Sequence, residues 1–319
     1  MVQYYPTKVS KMTKGDNVSG YFYLKTSEVR TSNQNSRYLD MTFCDNSGEI
    51  NAKMWNAGDG DEILFRAGTI VYAECLVKEF QGSLQLRVDT MRRTSDSEDI
   101  DISKLVPSAP EKPEVMLDMI TRVAEAIKDP DLKKLTLYFL EKYREDLLIY
   151  PAAKSFHHSV RSGLLYHVYT MLRGARHYTE LYPELNGDLL FTGVILHDIG
   201  KIREMELMDC GLVSGYTVEG QLLGHITLGA GMVEVAAAEL KTPRHKAVLV
   251  EHMILSHHYE PEYGSPKKPA FPEAEILHYL DIVDSRMYDM ELALASTRPG
   301  EFSEKINSLD KRIVLKTEL

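Results

Sequence analysis

Apolar and polar positions alternate with a period of two through the first part of the chain and with a helical period after that. The segments Val18-Ser-Gly-Tyr-Phe-Tyr-Leu24, Tyr38-Leu-Asp-Met-Thr-Phe-Cys44, Glu49-Ile-Asn-Ala-Lys-Met-Trp55, Thr69-Ile-Val-Tyr-Ala-Glu-Cys75 and Leu84-Gln-Leu-Arg-Val88 are short and rich in aromatic and β-branched residues. Turn signals at Asp45-Asn-Ser-Gly48, Ala57-Gly-Asp-Gly60 and Gln81-Gly82 separate them, so each is expected to be a strand. Five short strands in succession suit a small closed barrel, because closure removes the exposed sheet edges. Residues 96–113 are polar, acidic and proline-bearing, which predicts a linker.

Beyond Pro113 the repeat becomes helical. Val115, Met119, Val123, Ala126 and Ile127 mark one helix, and Leu132, Leu135, Phe139 and Leu140 a second. Further helices are expected at about 161–181, 188–198, 225–240, 243–257 and 273–295. The predicted organisation is a small all-β barrel over 1–95, a linker over 96–113, an all-α domain over 114–295 and a tail over 296–319. That tail, with Phe302, Ile306, Leu309, Ile313 and Val314, is apolar enough to dock on its own domain or on a neighbour, and a homo-oligomer is compatible with it.

With 319 residues the chain has room for two cores. Its three cysteines, Cys44, Cys75 and Cys210, are far apart, odd in number and form no Cys-x-x-Cys pair, so neither a disulfide framework nor a thiolate zinc site is suggested. A reducing cytoplasm is the expected compartment. No apolar run approaches membrane-spanning length, and the first residues lack a signal-peptide core. The net charge of −10 is unevenly spread: residues 1–95 carry 12 Lys+Arg against 11 Asp+Glu, and the remainder 25 against 36. The acidity belongs to the helical part, where bound cations would offset some of it. Strong non-specific binding of duplex DNA by the whole surface is therefore not expected.

The helical part also holds the candidate chemistry: His167, the doublet His197-Asp198, His225, the pair His257-His258, and Asp281. Each lies on or beside an apolar, helix-periodic stretch. Histidine and aspartate hold hard or borderline divalent metals, and no thiolate takes part. A lone histidine on an apolar helix is more often a hydrogen-bonded core residue than a ligand. Six or seven such residues at helix ends and apolar faces are hard to satisfy pairwise. An adjacent His and Asp at a helix end can point to two metals, and a bridging carboxylate is a common way to hold two cations. Asp281 and Asp284 are three apart and share a helix face. His177, His245 and His252 are expected at the surface or in support, and His278 behind the ligands.

The order H…HD…H…H…D, with Leu196-His-Asp-Ile-Gly-Lys201 at its centre, resembles the HD-domain phosphohydrolase superfamily over roughly residues 155–285. The resemblance implies one metal held by His167, His197, Asp198 and Asp281. It implies a second held by Asp198, His225 and one or both of His257 and His258. Related enzymes with a third metal carry Glu one turn before the first histidine, where this chain has Gly163, so two ions are expected. Mn²⁺ is the first choice, with Fe and Zn²⁺ compatible with the same donors.

The barrel resembles OB-folds that bind single strands. Tyr38, Phe43, Trp55, Tyr72 and Phe80 are candidate stacking faces, and Lys53, Arg66, Lys78 and Arg87 candidate phosphate contacts, although aromatics also dominate small β-cores. The fusion of barrel and HD domain, with Phe156-His-His-Ser159, Gly163-Leu-Leu-Tyr-His167, Leu255-Ser-His-His258 and Glu262-Tyr-Gly-Ser-Pro266, resembles the YhaM-type 3′→5′ exoribonucleases of Gram-positive bacteria. That family often carries Glu at the position of Tyr166. The resemblance implies hydrolysis at the 3′ end of single-stranded RNA, with single-stranded DNA as a related substrate.

In this picture Asp198 is central, and Lys201 meets a phosphate oxygen or orients Asp198. His158 and Arg161 bind the terminal nucleotide or help the leaving group. Tyr263 stacks on a base from the proline-bearing loop 259–272. Two rival functions share these motifs: an HD phosphodiesterase or phosphohydrolase acting on nucleotides or cyclic dinucleotides, and a non-catalytic single-strand-binding factor.

Overall fold

A computed structural model describes residues 2–32, 35–95, 97–154, 158–208 and 210–318. By contacts the chain divides into two compact units, 1–108 with 208–210, and 109–207 with 211–319.

The first unit is a five-stranded barrel of β1 (Asn17–Thr31), β2 (Arg37–Asp45), β3 (Gly48–Trp55), β4 (Ile70–Phe80) and β5 (Ser83–Arg93). Strands β1, β2 and β3 form an antiparallel meander. Strand β5 joins β3 in parallel register, Asn51 opposite Gln85 and Lys53 opposite Arg87. Strand β4 pairs with β5 and returns to β1, Asn17 opposite Leu76 and Tyr23 opposite Ile70, which closes the sheet. The period-two pattern sorts the side chains. In β2, Leu39, Met41 and Phe43 are buried while Tyr38, Asp40 and Thr42 face outward. Phe22, Leu24, Ile50, Val71, Cys75, Val77 and Leu86 complete the core.

Strands β1, β4 and β5 run past the ends that the hydropathy pattern marks, to Thr31, Phe80 and Arg93. Their outer ends carry exposed polar residues that keep their ladder pairing, as at Thr31 opposite Arg37. A bulge in β1 between Leu24 and Thr26 lets one long strand serve both neighbours.

The second unit is helical: α1 (Pro113–Ala126), α2 (Pro130–Lys142), α3 (Gly163–Leu181), α4 (Gly187–Leu196), α5 (Val218–Leu240), α6 (Arg244–Ser256) and α7 (Pro272–Ala295). Helix α4 is apolar on nearly every face, so it lies in the middle, packed against α1, α2, α3, α6 and α7. Its start is fixed by Asn186, whose side chain accepts from Leu189 N, and α2 is capped in the same way by Asp129. A short antiparallel ribbon, Met205–Leu207 with Val213–Tyr216, interrupts the helices. The tail folds back on its own domain: Leu309 is buried, and Lys316 Nζ donates to the Leu294 and Thr297 carbonyls at the end of α7. Cys44, Cys75 and Cys210 are all buried. Among the described residues no helix is long and apolar enough to cross a membrane.

At Gly200, in the His-Asp-Ile-Gly-Lys turn, α5 packs tightly against the backbone. A Cβ there would lie 2.0 Å from the His225 carbonyl oxygen and 2.7 Å from Gly229 N. Gly231, on the exposed side of α5, would meet nothing within 4 Å. Gly200→Ala is therefore expected to lower stability by about 1–3 kcal/mol, and Gly231→Ala to raise it by roughly 0.5–1 kcal/mol. Urea midpoints of the two variants check the contrast, and equal midpoints would contradict it.

Candidate metal centre

Five consecutive helices deliver the ligand candidates. Helix α3 carries His167 in its buried face. His197 caps the C-terminus of α4, with Asp198 next to it, and His257 caps α6, with His258 next to it. Both caps use the same device. The ring Nδ1–H donates to a carbonyl of the last turn, His197 to Val194 at 2.9 Å and His257 to Ile254 at 2.7 Å. Each cap thus satisfies a carbonyl that the helix end would leave unpaired. Within α5 the backbone breaks at Gly224, whose φ of +69° belongs to the left-handed region. The break frees the His225 N–H, and Glu204 Oε1 accepts both this N–H at 2.9 Å and the ring Nδ1–H at 3.1 Å.

The remaining two rings are anchored similarly. His167 Nδ1–H donates to Asp284 Oδ2 at 2.7 Å, and His258 Nδ1–H to the Tyr263 carbonyl at 2.7 Å. All five imidazoles therefore hold a proton on Nδ1 and turn Nε2 toward one another.

The inward atoms form two groups around one carboxylate. His167 Nε2 lies 3.3 Å from His197 Nε2 and 3.3 Å from Asp281 Oδ1, and Asp198 Oδ2 lies 3.4 Å from His197 Nε2. On the other side Asp198 Oδ1 lies 3.5 Å from His225 Nε2 and 3.7 Å from His257 Nε2, while His258 Nε2 lies 4.0 Å from Asp281 Oδ2. Asp198 presents one oxygen to each group. Asp198 Oδ1, His225 Nε2 and His257 Nε2 are buried and make no hydrogen bond. Such orphaned atoms cost on the order of 1–3 kcal/mol each. A cation between them removes that cost, and the donor set of imidazole and carboxylate suits Mn²⁺, Fe or Zn²⁺.

The electrostatics point the same way. Burial opposes charge on His167, but its hydrogen bonds to Asp281 and Asp284 outweigh burial and lift its pKa to about 10. Without an ion, a proton takes the cation's place there. Burial, helped by the neighbouring His258 and His197, holds His257 well below the usual imidazole range, so its lone pair stays available. Burial also opposes charge on Asp198, yet Lys201 and the surrounding histidines keep it ionised, well below the ordinary carboxylate range. The buried Lys201 donates to Asp198 Oδ2 at 2.7 Å, so of its two expected roles the geometry displays the orienting one.

The other expected residues fall in different places. His158 is only 1% exposed, and its Nε2 bonds Asp284 Oδ2 at 2.8 Å. Arg161 lies against Gly211. Of the Phe156-His-His-Ser159 motif, Phe156 and His157 fall outside the described residues. His278 is buried and donates from Nδ1 to the His257 carbonyl, while His177 is exposed. Ser265, within the Glu262–Pro266 motif, accepts at Oγ from His258 N at 3.0 Å, whereas Glu204 carried no signal in the sequence, because only the fold brings it to His225.

On the barrel, Tyr38, Trp55, Lys53 and Phe80 gather on the outer face. The Tyr38 and Trp55 rings lie 4.7 Å apart, and Lys53 Nζ sits 5.2 Å from the Tyr38 ring and 5.9 Å from the Phe80 ring. Trp55 is 44% and Phe80 57% exposed. Tyr72 belongs to another cluster, with Tyr21 at 5.3 Å and Arg92 above it at 5.1 Å. Lys78 is exposed on β4. Phe43 is withdrawn as a stacking face: it is fully buried, because its alternation places it with Leu39 and Met41 in the core. Tyr263, 69% exposed, projects from the loop that holds His258.

Comparison with known proteins agrees with both units. The HD domain family matches residues 164–286, and the OB-fold nucleic acid binding domain family matches 26–93. A curated relative, the 3′-5′ exoribonuclease YhaM of Halalkalibacterium halodurans, is 38% identical over 93% of this chain and 92% of its own. The Bacillus subtilis protein of the same name is 39% identical over 93% and 94%, and that of Shouchella clausii 39% over 93% and 92%.

Removing divalent ions with a chelator should lower the thermal midpoint, and Mn²⁺ at about 100-fold above its Kd should raise it again by roughly 5–10 °C. Asp198→Asn should show no such response. A midpoint of the unsubstituted protein that ignores Mn²⁺ would contradict the ion-binding assignment.

Proposed function

The chain belongs to the YhaM family of 3′-5′ exoribonucleases, and from that premise we propose that it hydrolyses single-stranded RNA from the 3′ end at the His/Asp centre. The observation that carries the proposal is Asp198, whose two oxygens face two separate histidine groups. In this reading His167, His197, Asp198 and Asp281 hold one divalent ion, and Asp198, His225, His257 and His258 hold a second, with Mn²⁺ the expected metal. Such ions, when bound, supply positive charge to a scissile phosphate and acidify a water molecule.

The protein's own part is to fix the donors and admit the strand. Lys201 keeps Asp198 ionised and turned toward both groups. His258 is the most open of the ligand candidates, its side chain 26% exposed, so the phosphate approaches from the His258 side. The exposed Tyr263 ring is tied to that side, because its own carbonyl anchors His258, and it offers a stacking face for the terminal base. Water's oxygen bonds to phosphorus, the P–O bond to the upstream 3′ oxygen breaks, and that oxygen leaves with a proton, releasing a 5′-mononucleotide.

On the barrel, Trp55, Phe80 and Tyr38 offer π-faces to successive bases, and Lys53 and Lys78 offer charge to phosphates. These positions lie on β2 and β3 and where β4 turns into β5, the face and loop that OB-folds use for oligonucleotides. Tyr72, with Arg92, extends the same kind of surface.

End-labelled single-stranded RNA with Mn²⁺ should shorten stepwise from its 3′ end, and Asp198→Asn should abolish the shortening. Trp55→Ala should raise KM by roughly 5- to 100-fold, the worth of one stacked base, with kcat within about twofold. If RNA stays intact while a cyclic dinucleotide is opened, the substrate assignment is wrong.

A further inference from the structure

The ligand candidates use Asp281 and leave Asp284, one turn further along α7, without a role of its own. Asp284 Oδ2 accepts two hydrogen bonds, from His167 Nδ1 at 2.7 Å and from His158 Nε2 at 2.8 Å. His158 reaches it from the segment before α3, with a left-handed φ of +52°. Its ring is buried and packs 3.9 Å from that of Tyr288, one turn beyond Asp284 on the same helix. A non-glycine residue in that backbone region costs energy, so the surroundings hold His158 there. The result is a chain of three groups, His158 to Asp284 to His167, ending on the Nε2 that faces His197 and Asp281.

Of the other four rings, one shares carboxylate backing and three do not. His197, His257 and His258 donate to neutral carbonyls, and His225 to Glu204. A carboxylate behind an imidazole fixes the ring and raises the basicity of the free nitrogen, which strengthens a metal bond. The group containing His167 combines that backing with nearly complete burial. The group containing His225 and His258 is partly open, and His258 is anchored to a loop carbonyl.

We propose that Asp284 and His158 form a positioning pair that makes the His167/His197/Asp198/Asp281 group the tighter of two ion positions, filled first, while the His225/His257/His258 side exchanges its ion more readily. His158 acts through Asp284: its donation holds Oδ2 toward His167, and Tyr288 holds the His158 ring. The ranking rests on the two-position reading given above, whereas the positioning pair needs only the inner group.

Full-length protein stripped of metal and titrated with Mn²⁺ by calorimetry tests the idea. Wild type should show two classes of site differing by at least about tenfold. Asp284→Asn should weaken the tighter class ten- to a hundredfold and leave the weaker class unchanged. Glu204→Gln should do the converse. His158→Ala should follow Asp284→Asn to a lesser extent, and His158→Gln, whose amide can still donate to Asp284, should recover the affinity. Co²⁺ bound at the first equivalent should change its visible spectrum in Asp284→Asn but not in Glu204→Gln, which a loss of fold alone would not produce. Unchanged Mn²⁺ affinity in a folded Asp284→Asn protein overturns the positioning pair. A single class of ion in wild type contradicts the two-position reading and its ranking, and the Asp284→Asn affinity still decides the pair.

Discussion

A carboxylate buried among five imidazoles constrains the rest of the helical domain. Taking Asp198 out of water costs several kcal/mol unless positive charge and directed donors meet it. Lys201 meets one oxygen at 2.7 Å, and histidines from four different helices converge on the two sides. Because every one of those rings is held at Nδ1 by a carbonyl or carboxylate, the convergence is set by backbone geometry. Helix ends at His197 and His257, the break at Gly224 and the close approach at Gly200 all serve to bring one set of Nε2 atoms to one carboxylate. The apolar helix α4, buried because nearly every face is apolar, carries His197-Asp198 at its end into that centre.

The barrel depends on a different and simpler rule, the two-residue alternation that fills its core with Leu39, Met41 and Phe43 and turns Tyr38 outward. The same rule leaves Trp55 and Lys53 on the outer face of β3. An aromatic face with charge beside it suits single strands of any sequence, since every base has a π-face. A buried histidine and aspartate cluster and an aromatic, charged barrel face belong to one chain. Family membership and geometry thus point to the same chemistry from independent directions.

Much of this was legible in the sequence. Period and turn residues marked all five barrel strands and the long helices but not the ribbon Met205–Leu207 with Val213–Tyr216, and the ligand candidates stood out because charged or polar residues interrupted apolar helical stretches. What could not be read depended on distance along the chain. Glu204 meets His225 across 21 residues, through a break in α5 that only the left-handed Gly224 permits. Asp284 meets His158 across 126 residues, and its position beside Asp281 on one helix face disguised a different partner. Phe43 and Trp55 looked alike as aromatic residues in short strands, and only their phase in the two-residue alternation separates core from surface. Strand ends were underestimated because backbone pairing continues where side-chain alternation fades.

On the proposed reading Asp198 is shared between two ion positions of unequal burial. Anomalous diffraction from crystals of the full chain grown with Mn²⁺ tests it most directly. Two peaks are expected roughly 3.5–4 Å apart, one on each side of the Asp198 carboxylate, the stronger beside His167 and His197. A single ion, or ions that leave Asp198 bound only to Lys201, would contradict it.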